Sequence, residues 1–142
     1  MTIITVAVTD IVPASIDRVW PVLEDFGNIT SWVPGIDKVE VIGEGVGMIR
    51  RIHVEGLEQA IDEKLTYMNA SEFSFSYAIP QGLPLPLSEY SASARLKPLD
   101  NDSCEVCWQS NCIADGVSQQ EAEAMIESTY QQLIDWLKAY FL

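Results

Sequence analysis

The feature that most constrains the fold is a series of closely spaced strand-like segments followed by one long helical segment. Residues 3–12 alternate between apolar and polar and are rich in Ile, Val and Thr, which predicts a first strand. Six further alternating segments predict strands at about 37–43, 47–55, 58–68, 71–79, 88–97 and 104–113. Because short turns join most of these strands, they predict an antiparallel sheet, and a sheet of seven strands has to twist and curl.

Two short helices are predicted between the first and second strands. Ser15 is the predicted N-cap of a helix over 16–26, which carries apolar residues at helical spacing. Gly27 ends that helix, and a second short helical piece covers 28–32.

The last predicted helix is long and broadly apolar. Ser118, with Glu121 three residues later, forms a capping-box pattern at its start, and the helix runs to about residue 141. Its apolar face is too wide for a helix resting on a flat sheet and favours a helix gripped by a curved one. The predicted fold class is therefore α+β, with a curved seven-stranded antiparallel sheet around a long C-terminal helix in a single domain over 1–142.

The charge of the chain excludes several classes of partner. Twenty-one acidic residues against eight basic ones give a formal net charge of −13. Nucleic acids and anionic membrane surfaces require clustered Lys and Arg, so neither is an expected partner. The first twelve residues lack a basic region and a long apolar core, and no stretch approaches the length of a membrane helix, so we expect a cytoplasmic protein without membrane insertion.

Three cysteines raise the question of a redox or metal site. Cys104 and Cys107 have the spacing C-x-x-C, and Cys112 follows. The segment CEVCWQSNC alternates like a strand, whereas redox motifs of this spacing open helices, and His53 is the one other soft metal ligand. We therefore expect reduced thiols, no metal site and no cofactor.

Strand alternation predicts which side chains face the interior of the curled sheet. Ile61, Leu65 and Tyr67 share one face of their strand, and this apolar face is expected to point inward. The corresponding inward residues of the next three strands are Phe73, Phe75, Tyr77 and Ile79, then Tyr90, Ala92, Ala94 and Leu96, then Cys104, Val106, Trp108, Ser110 and Cys112. The small residues among them leave space, either for the helix or for a ligand.

Glu63 is the acidic residue on that inward face. A carboxylate there costs several kcal/mol unless it is paired or protonated. In one register of the preceding hairpin Glu63 opposes Arg50. In the register shifted by one residue it opposes Arg51, and His53 then faces the interior as well. Either an ion pair that satisfies the interior or an anchor for a ligand is consistent with these residues.

Several motifs resemble the helix-grip superfamily, also called SRPBCC or START-like. They are VWPVLEDFGNITSWVPG, GEGVGMIRRI, IDEKLTY, a tyrosine after a proline-rich loop, and a tryptophan in the last strand. The closest resemblance is to bacterial polyketide cyclase/dehydrase-like proteins, and it extends over essentially the whole chain. It implies the fold specifically and the function only broadly, because this fold hosts binders, carriers, receptors and enzymes.

A more distant resemblance is to the plant abscisic-acid receptors, whose gate loop is similar to residues 55–58. It implies cavity-lining positions and favours Arg51 over Arg50 as the inward arginine. Those positions are Arg51, His53, Glu63, Tyr77, Tyr90, Met125, Thr129 and Leu133. The gate lacks the Ser and Pro of the receptors, and Val33 takes the place of their ligand-anchoring lysine, so recognition of that hormone is not implied.

The first functional hypothesis is binding or carriage of a small hydrophobic molecule, of lipid, polyketide or aromatic-acid type, by a monomer or weak homodimer. Such sites are mostly apolar with a few convergent polar groups. Residues 55–58 and 80–87 are expected to form the mouth. The predicted ligand-binding residues are Arg51, His53, Ile61, Glu63, Phe75, Tyr77, Leu83, Tyr90, Ala92, Trp108, Met125, Thr129 and Leu133.

The alternative is an enzyme resembling polyketide aromatases and cyclases, working by general acid–base chemistry in the same cavity. Its catalytic candidates are Glu63, His53 and Tyr90, with Arg51 or Tyr77 as further hydrogen-bond donors. An ion pair with arginine favours the charged carboxylate and so works against Glu63 as a base. A third hypothesis is an interaction module in which aromatic side chains fill the interior.

Overall fold

A computed structural model of the chain describes residues 2–80 and 86–142. The strands are β1 (Ile3–Val12), β2 (Ile36–Ile42), β3 (Ile49–Val54), β4 (Ile61–Asn69), β5 (Ser74–Ala78), β6 (Leu87–Asp100) and β7 (Ser103–Ala114). The α-helices are α1 (Ile16–Glu24) and α2 (Gln119–Tyr140), and short 3-10 turns cover Ile29–Ser31 and Ala70–Glu72.

All seven strands form one antiparallel sheet, which confirms the predicted fold class. The strand order is β1-β7-β6-β5-β4-β3-β2, so β2 to β7 follow one another as a meander and β1 pairs with the last strand. The long helix α2 packs against β1 and β7. Among the described residues, no helix is long and apolar enough to span a membrane.

The predicted ends of the helices are partly correct. The Ser118 hydroxyl accepts a hydrogen bond from the backbone N–H of Glu121 at 3.1 Å, so α2 begins where the capping pattern indicated. Ser15 precedes α1 in an extended conformation, but its side chain makes no capping hydrogen bond. The helix also ends at Glu24, two residues earlier than predicted.

A bulge in β4 changes the predicted face of one residue. The pairing of β4 with β5 shifts between Leu65 and Tyr67, so Leu65 stays buried while Tyr67 turns outward and is 43 % exposed. The prediction that Tyr67 faces inward was therefore wrong. The next strand also begins later than predicted, because the Asn69 side chain accepts from the backbone N–H groups of Ser71 and Glu72 and stabilises a 3-10 turn there.

The core lies between the sheet and the two helices and is rich in aromatic rings. Trp108 is at its centre, with ring-centroid distances of 6.0 Å to Phe75 and 6.3 Å to Tyr130. Nearer the C-terminal end of α2, Lys138 Nζ donates to Asp10 Oδ2 at 2.5 Å, which ties the helix to β1. Together, aromatic packing and this ion pair fix the helix over the sheet.

Candidate functional site

A cavity of about 270 Å³ lies between the inner face of the sheet and α2. Most of its wall is aliphatic, with a few polar side chains. The lining residues are Ile29, Val33, Pro34, Ile36, Ile52, Val54, Ile61, Glu63, Tyr77, Ile79, Leu87, Tyr90, Met125, Ile126, Thr129, Tyr130, Leu133 and Trp136. An apolar cavity with a few polar groups is the usual form of a small-molecule site.

The polar side of the cavity contains an ion pair between adjacent strands. Arg50 on β3 lies directly opposite Glu63 on β4. Arg50 Nε donates to Glu63 Oε1 at 2.7 Å, and Arg50 Nη2 lies 2.7 Å from the same oxygen. Both nitrogens thus contact one carboxylate oxygen. Among the described residues, Glu63 Oε2 has no hydrogen-bond partner.

Arg50 is held from three sides. Its Nη1 donates to the Phe26 carbonyl oxygen at 2.9 Å, and its guanidinium carbon lies 3.8 Å from the centre of the Phe26 ring. It also lies 5.4 Å from the centre of the Tyr77 ring. Only 4 % of Arg50 is exposed. Arg50 is therefore behind the cavity wall, and Glu63 is the part of the pair that lines the cavity.

The register also shows that two predicted site residues face away from the cavity. Arg51 opposes Asp62, and its Nε and Nη2 donate to the two carboxylate oxygens at 2.8 Å and 3.0 Å. His53 Nε2 lies 2.9 Å from Glu40 Oε2 at the surface. The prediction that Arg51 and His53 line the cavity was therefore wrong, because the hairpin adopts the register in which Arg50 points inward.

Three tyrosines complete the polar part of the cavity. The Tyr77 hydroxyl accepts a hydrogen bond from Trp108 Nε1 at 3.1 Å, and burial raises the pKa of Tyr77 well above its usual value. The Tyr90 hydroxyl, on β6, contacts the Tyr130 hydroxyl, on α2. Burial raises the pKa of Tyr90 strongly and that of Tyr130 to about 12. At neutral pH all three are therefore protonated phenols.

Seven of the thirteen predicted ligand-binding residues line the cavity. They are Ile61, Glu63, Tyr77, Tyr90, Met125, Thr129 and Leu133. Three others, Phe75, Ala92 and Trp108, are on the predicted inner side but form the packed core beside the cavity. Phe26 packs on Phe75 and Trp32 packs on Trp108, which keeps both rings off the wall. Leu83 lies outside the described residues.

Sequence reasoning missed several residues of the site. Tyr130 and Trp136 belong to the apolar face of α2, and their spacing from Met125 and Leu133 was a usable signal for the wall. The contact of Tyr130 with Tyr90 could not be predicted from the sequence, because it depends on how closely α2 approaches β6. Ile29, from the segment after α1, also closes one side, and no local pattern indicated this. Val33, in the same segment, was indicated only by the resemblance to the plant receptors, whose ligand-anchoring lysine it replaces.

The described residues contain no group of three or more His, Cys, Asp or Glu side chains placed to hold a metal ion. The three cysteines are on β7, and alternation buries Cys104 and Cys112 while Cys107 points to the other face. Burial raises the pKa of Cys104 to about 11, so this thiol is protonated at neutral pH.

The chain resembles known proteins over its whole length. A family model described as polyketide cyclase/dehydrase and lipid transport matches residues 4–141. No curated protein matches the chain at a significant level.

Solved structures with the same fold come from bacteria and plants. An uncharacterised protein from Bacillus thuringiensis superimposes with a TM-score of 0.87 at 21 % identity, covering 96 % of this chain and 98 % of the other. Norcoclaurine synthase from Thalictrum flavum, in complex with dopamine and hydroxybenzaldehyde, gives 0.78 at 22 % identity, covering 97 % and 86 %. The Zhui aromatase/cyclase from Streptomyces sp. R1128 gives 0.75 at 20 % identity, covering 98 % and 91 %. At these identities the likeness establishes the fold.

Proposed function

The chain belongs to the family of polyketide cyclases, dehydrases and lipid-transport proteins, and we propose that it binds a small, largely apolar molecule in the cavity between its sheet and α2. The observation that carries the proposal is the unfilled, mainly aliphatic cavity of about 270 Å³. Ordinary small-molecule sites range from about 300 to 1,000 Å³, so the ligand is a small one.

The packing beside the cavity supports binding rather than a filled interior. Phe75 and Trp108 are almost completely buried, yet neither enters the cavity. An interaction module with a collapsed interior would place such rings in that space. The aliphatic wall instead offers a ligand burial of its apolar surface, worth roughly 25 cal/mol per Å².

The arrangement favours binding over acid–base catalysis. Of the three catalytic candidates, His53 is at the outer surface, and Tyr90 is a phenol whose raised pKa makes it a donor and not a base. Glu63 remains, and one of its two carboxylate oxygens is already engaged by two nitrogens of Arg50. Of the three candidates, the cavity therefore retains one possible base, and that group is already paired.

The proposal is tested by native mass spectrometry of the purified protein, before and after addition of naphthalene and of a medium-chain fatty alcohol. We expect a bound small molecule either from purification or after addition. Thr129→Trp, at an exposed part of the cavity wall, should reduce uptake about tenfold by occupying the space. Ser128→Trp, one residue away and outside the wall, is the matched control and should leave uptake unchanged.

Absence of any co-purifying molecule together with no uptake of either probe would overturn the proposal. Equal uptake by the two tryptophan variants would show that a probe binds elsewhere on the surface.

A further inference from the structure

We propose that the cavity selects an uncharged head group that donates a hydrogen bond, such as an alcohol or phenol, and rejects carboxylates. This inference rests on the proposed binding function and deepens it. It starts from the one-sided geometry of the Arg50–Glu63 pair, which leaves Glu63 Oε2 without a partner among the described residues.

The first step concerns charge. Glu63 is the one charged side chain among the described residues that line the cavity, and its charge is balanced by Arg50 behind the wall. A carboxylate ligand would add a second negative charge beside Glu63 with no free cation to meet it. An ammonium ligand would leave an uncompensated positive charge beside Arg50. A neutral head group keeps the charges balanced.

The second step concerns hydrogen bonds. A carboxylate oxygen accepts hydrogen bonds and cannot donate them, so a ligand group that meets Glu63 Oε2 has to be a donor. The Tyr77 hydroxyl accepts from Trp108, and among the described residues its own proton has no acceptor. Arg50 lies within 5.4 Å of the Tyr77 ring centre, which places the ion pair and Tyr77 in the same region. A hydroxyl group both donates and accepts, and so it matches this pair of groups.

The arginine that was predicted to line the cavity, Arg51, would have favoured the opposite ligand. In the cavity it would have attracted an acid, but it is paired with Asp62 on the outer face. An aromatic acid would need a cation in the cavity, and Arg50 is already occupied by Glu63 and the Phe26 carbonyl oxygen.

The test uses isothermal titration calorimetry to compare three probes that share a naphthalene ring and differ in the substituent at position 2: naphthalen-2-ol, 2-methylnaphthalene and naphthalene-2-carboxylate. We expect naphthalen-2-ol to bind about tenfold or more tightly than the other two, because a hydrogen bond to a charged acceptor is among the stronger ones. In a purely apolar cavity, 2-methylnaphthalene would bind at least as tightly as the alcohol, because its methyl group is the more hydrophobic substituent.

A pair of double variants assigns the preference to the inner ion pair. In Arg50→Met/Glu63→Leu, naphthalen-2-ol should lose its advantage over 2-methylnaphthalene. The control Arg51→Met/Asp62→Leu makes the same change of residue types on the outer face of the same strands, and should keep the order of the probes.

The outcomes separate the inference from the proposed function. If 2-methylnaphthalene or the carboxylate binds as tightly as the alcohol, the cavity binds ligands but the selectivity inference is overturned. If the preference survives in Arg50→Met/Glu63→Leu, the assignment to Glu63 is overturned. If none of the three probes binds, the selectivity inference is overturned, and the proposed function is decided separately by the native mass spectrometry of the purified protein.

Discussion

Two arginine–carboxylate pairs lie side by side on β3 and β4, and they differ in their geometry and in the exposure of their arginines. In the outer pair, Arg51 places two nitrogens on the two oxygens of Asp62, at 2.8 Å and 3.0 Å. In the inner pair, Arg50 directs two nitrogens at a single oxygen of Glu63, both at 2.7 Å. The Arg51 side chain is 41 % exposed and the Arg50 side chain 5 %.

The difference follows from what surrounds each pair. Water reaches the Arg51 end of the outer pair, although the two carboxylates are almost equally exposed, Asp62 at 15 % and Glu63 at 14 %. Because the Arg51 guanidinium keeps much of its hydration, and because β3 and β4 are already joined by their backbone, the outer pair adds little to stability. The inner pair has lost most of its water, and its desolvation is offset by the Phe26 carbonyl and the faces of two aromatic rings. Glu63 Oε2, which has no partner among residues 2–80 and 86–142, is then available to a ligand in the cavity.

The largest expected effect comes from removing one member of each pair. Arg50→Met leaves the Glu63 carboxylate on an apolar wall without a cation, and we expect the free energy of unfolding to fall by about 3–5 kcal/mol. Arg51→Met removes a guanidinium that is itself 41 % exposed, so water can take its place beside Asp62, and the loss should be much smaller. Urea denaturation of both variants and of the wild type measures the two losses side by side.

Equal losses of unfolding free energy for the two arginine variants would contradict the proposed difference, since they would mean that both pairs are solvated to the same degree. A larger loss for Arg51→Met would reverse it.

The second prediction separates stability from specificity at the inner pair. Replacing a buried ion pair by apolar residues is often neutral or stabilising, because no charge is left unpaired. We therefore expect Arg50→Met/Glu63→Leu to recover most of the stability lost in Arg50→Met, to within about 1–2 kcal/mol of the wild type.

Urea denaturation of the double variant measures that recovery, with the single variant Glu63→Leu completing the cycle. A double variant as unstable as Arg50→Met would mean that the contacts of Arg50 with Phe26 stabilise the fold more than the ion pair does.

The sequence was sufficient to predict the sheet, the long helix and the inward position of Glu63. Alternation along β4 predicts the face of Glu63 directly, and a buried carboxylate calls for an arginine on the neighbouring strand. The identity of that arginine depends on the register of the hairpin, which is set by the irregular loop between β3 and β4. A shift of one residue exchanges Arg50 and Arg51, and the resemblance to distant receptors favoured the wrong one.

The extent of the cavity depends on packing between distant parts of the chain. Phe75 and Trp108 have the predicted inward face, but Phe26 and Trp32, from the segment after α1, cover them. No pattern within β5 or β7 records that contact. Tyr67 shows that prediction from alternation also fails within a single strand, because one bulged residue reverses the face that alternation predicts.

The smallest expected effect is a pH dependence confined to the outer pair. Arg51, by its hydrogen bond and its charge, holds the pKa of Asp62 below the usual value of 3.8. Because the pKa is lower in the folded state, Asp62 stabilises the fold above about pH 4, and this contribution is lost as the pH falls through the folded-state pKa. Asp62→Asn should therefore be slightly less stable than the wild type at neutral pH, and the difference should shrink as the pH falls below about 4, vanishing only below the folded-state pKa of Asp62. Urea denaturation of both proteins across this pH range measures the difference in unfolding free energy.

A difference that stays constant with pH would show that Asp62 acts through packing or a neutral hydrogen bond. The outer pair would then resemble the inner one more closely than its solvation implies.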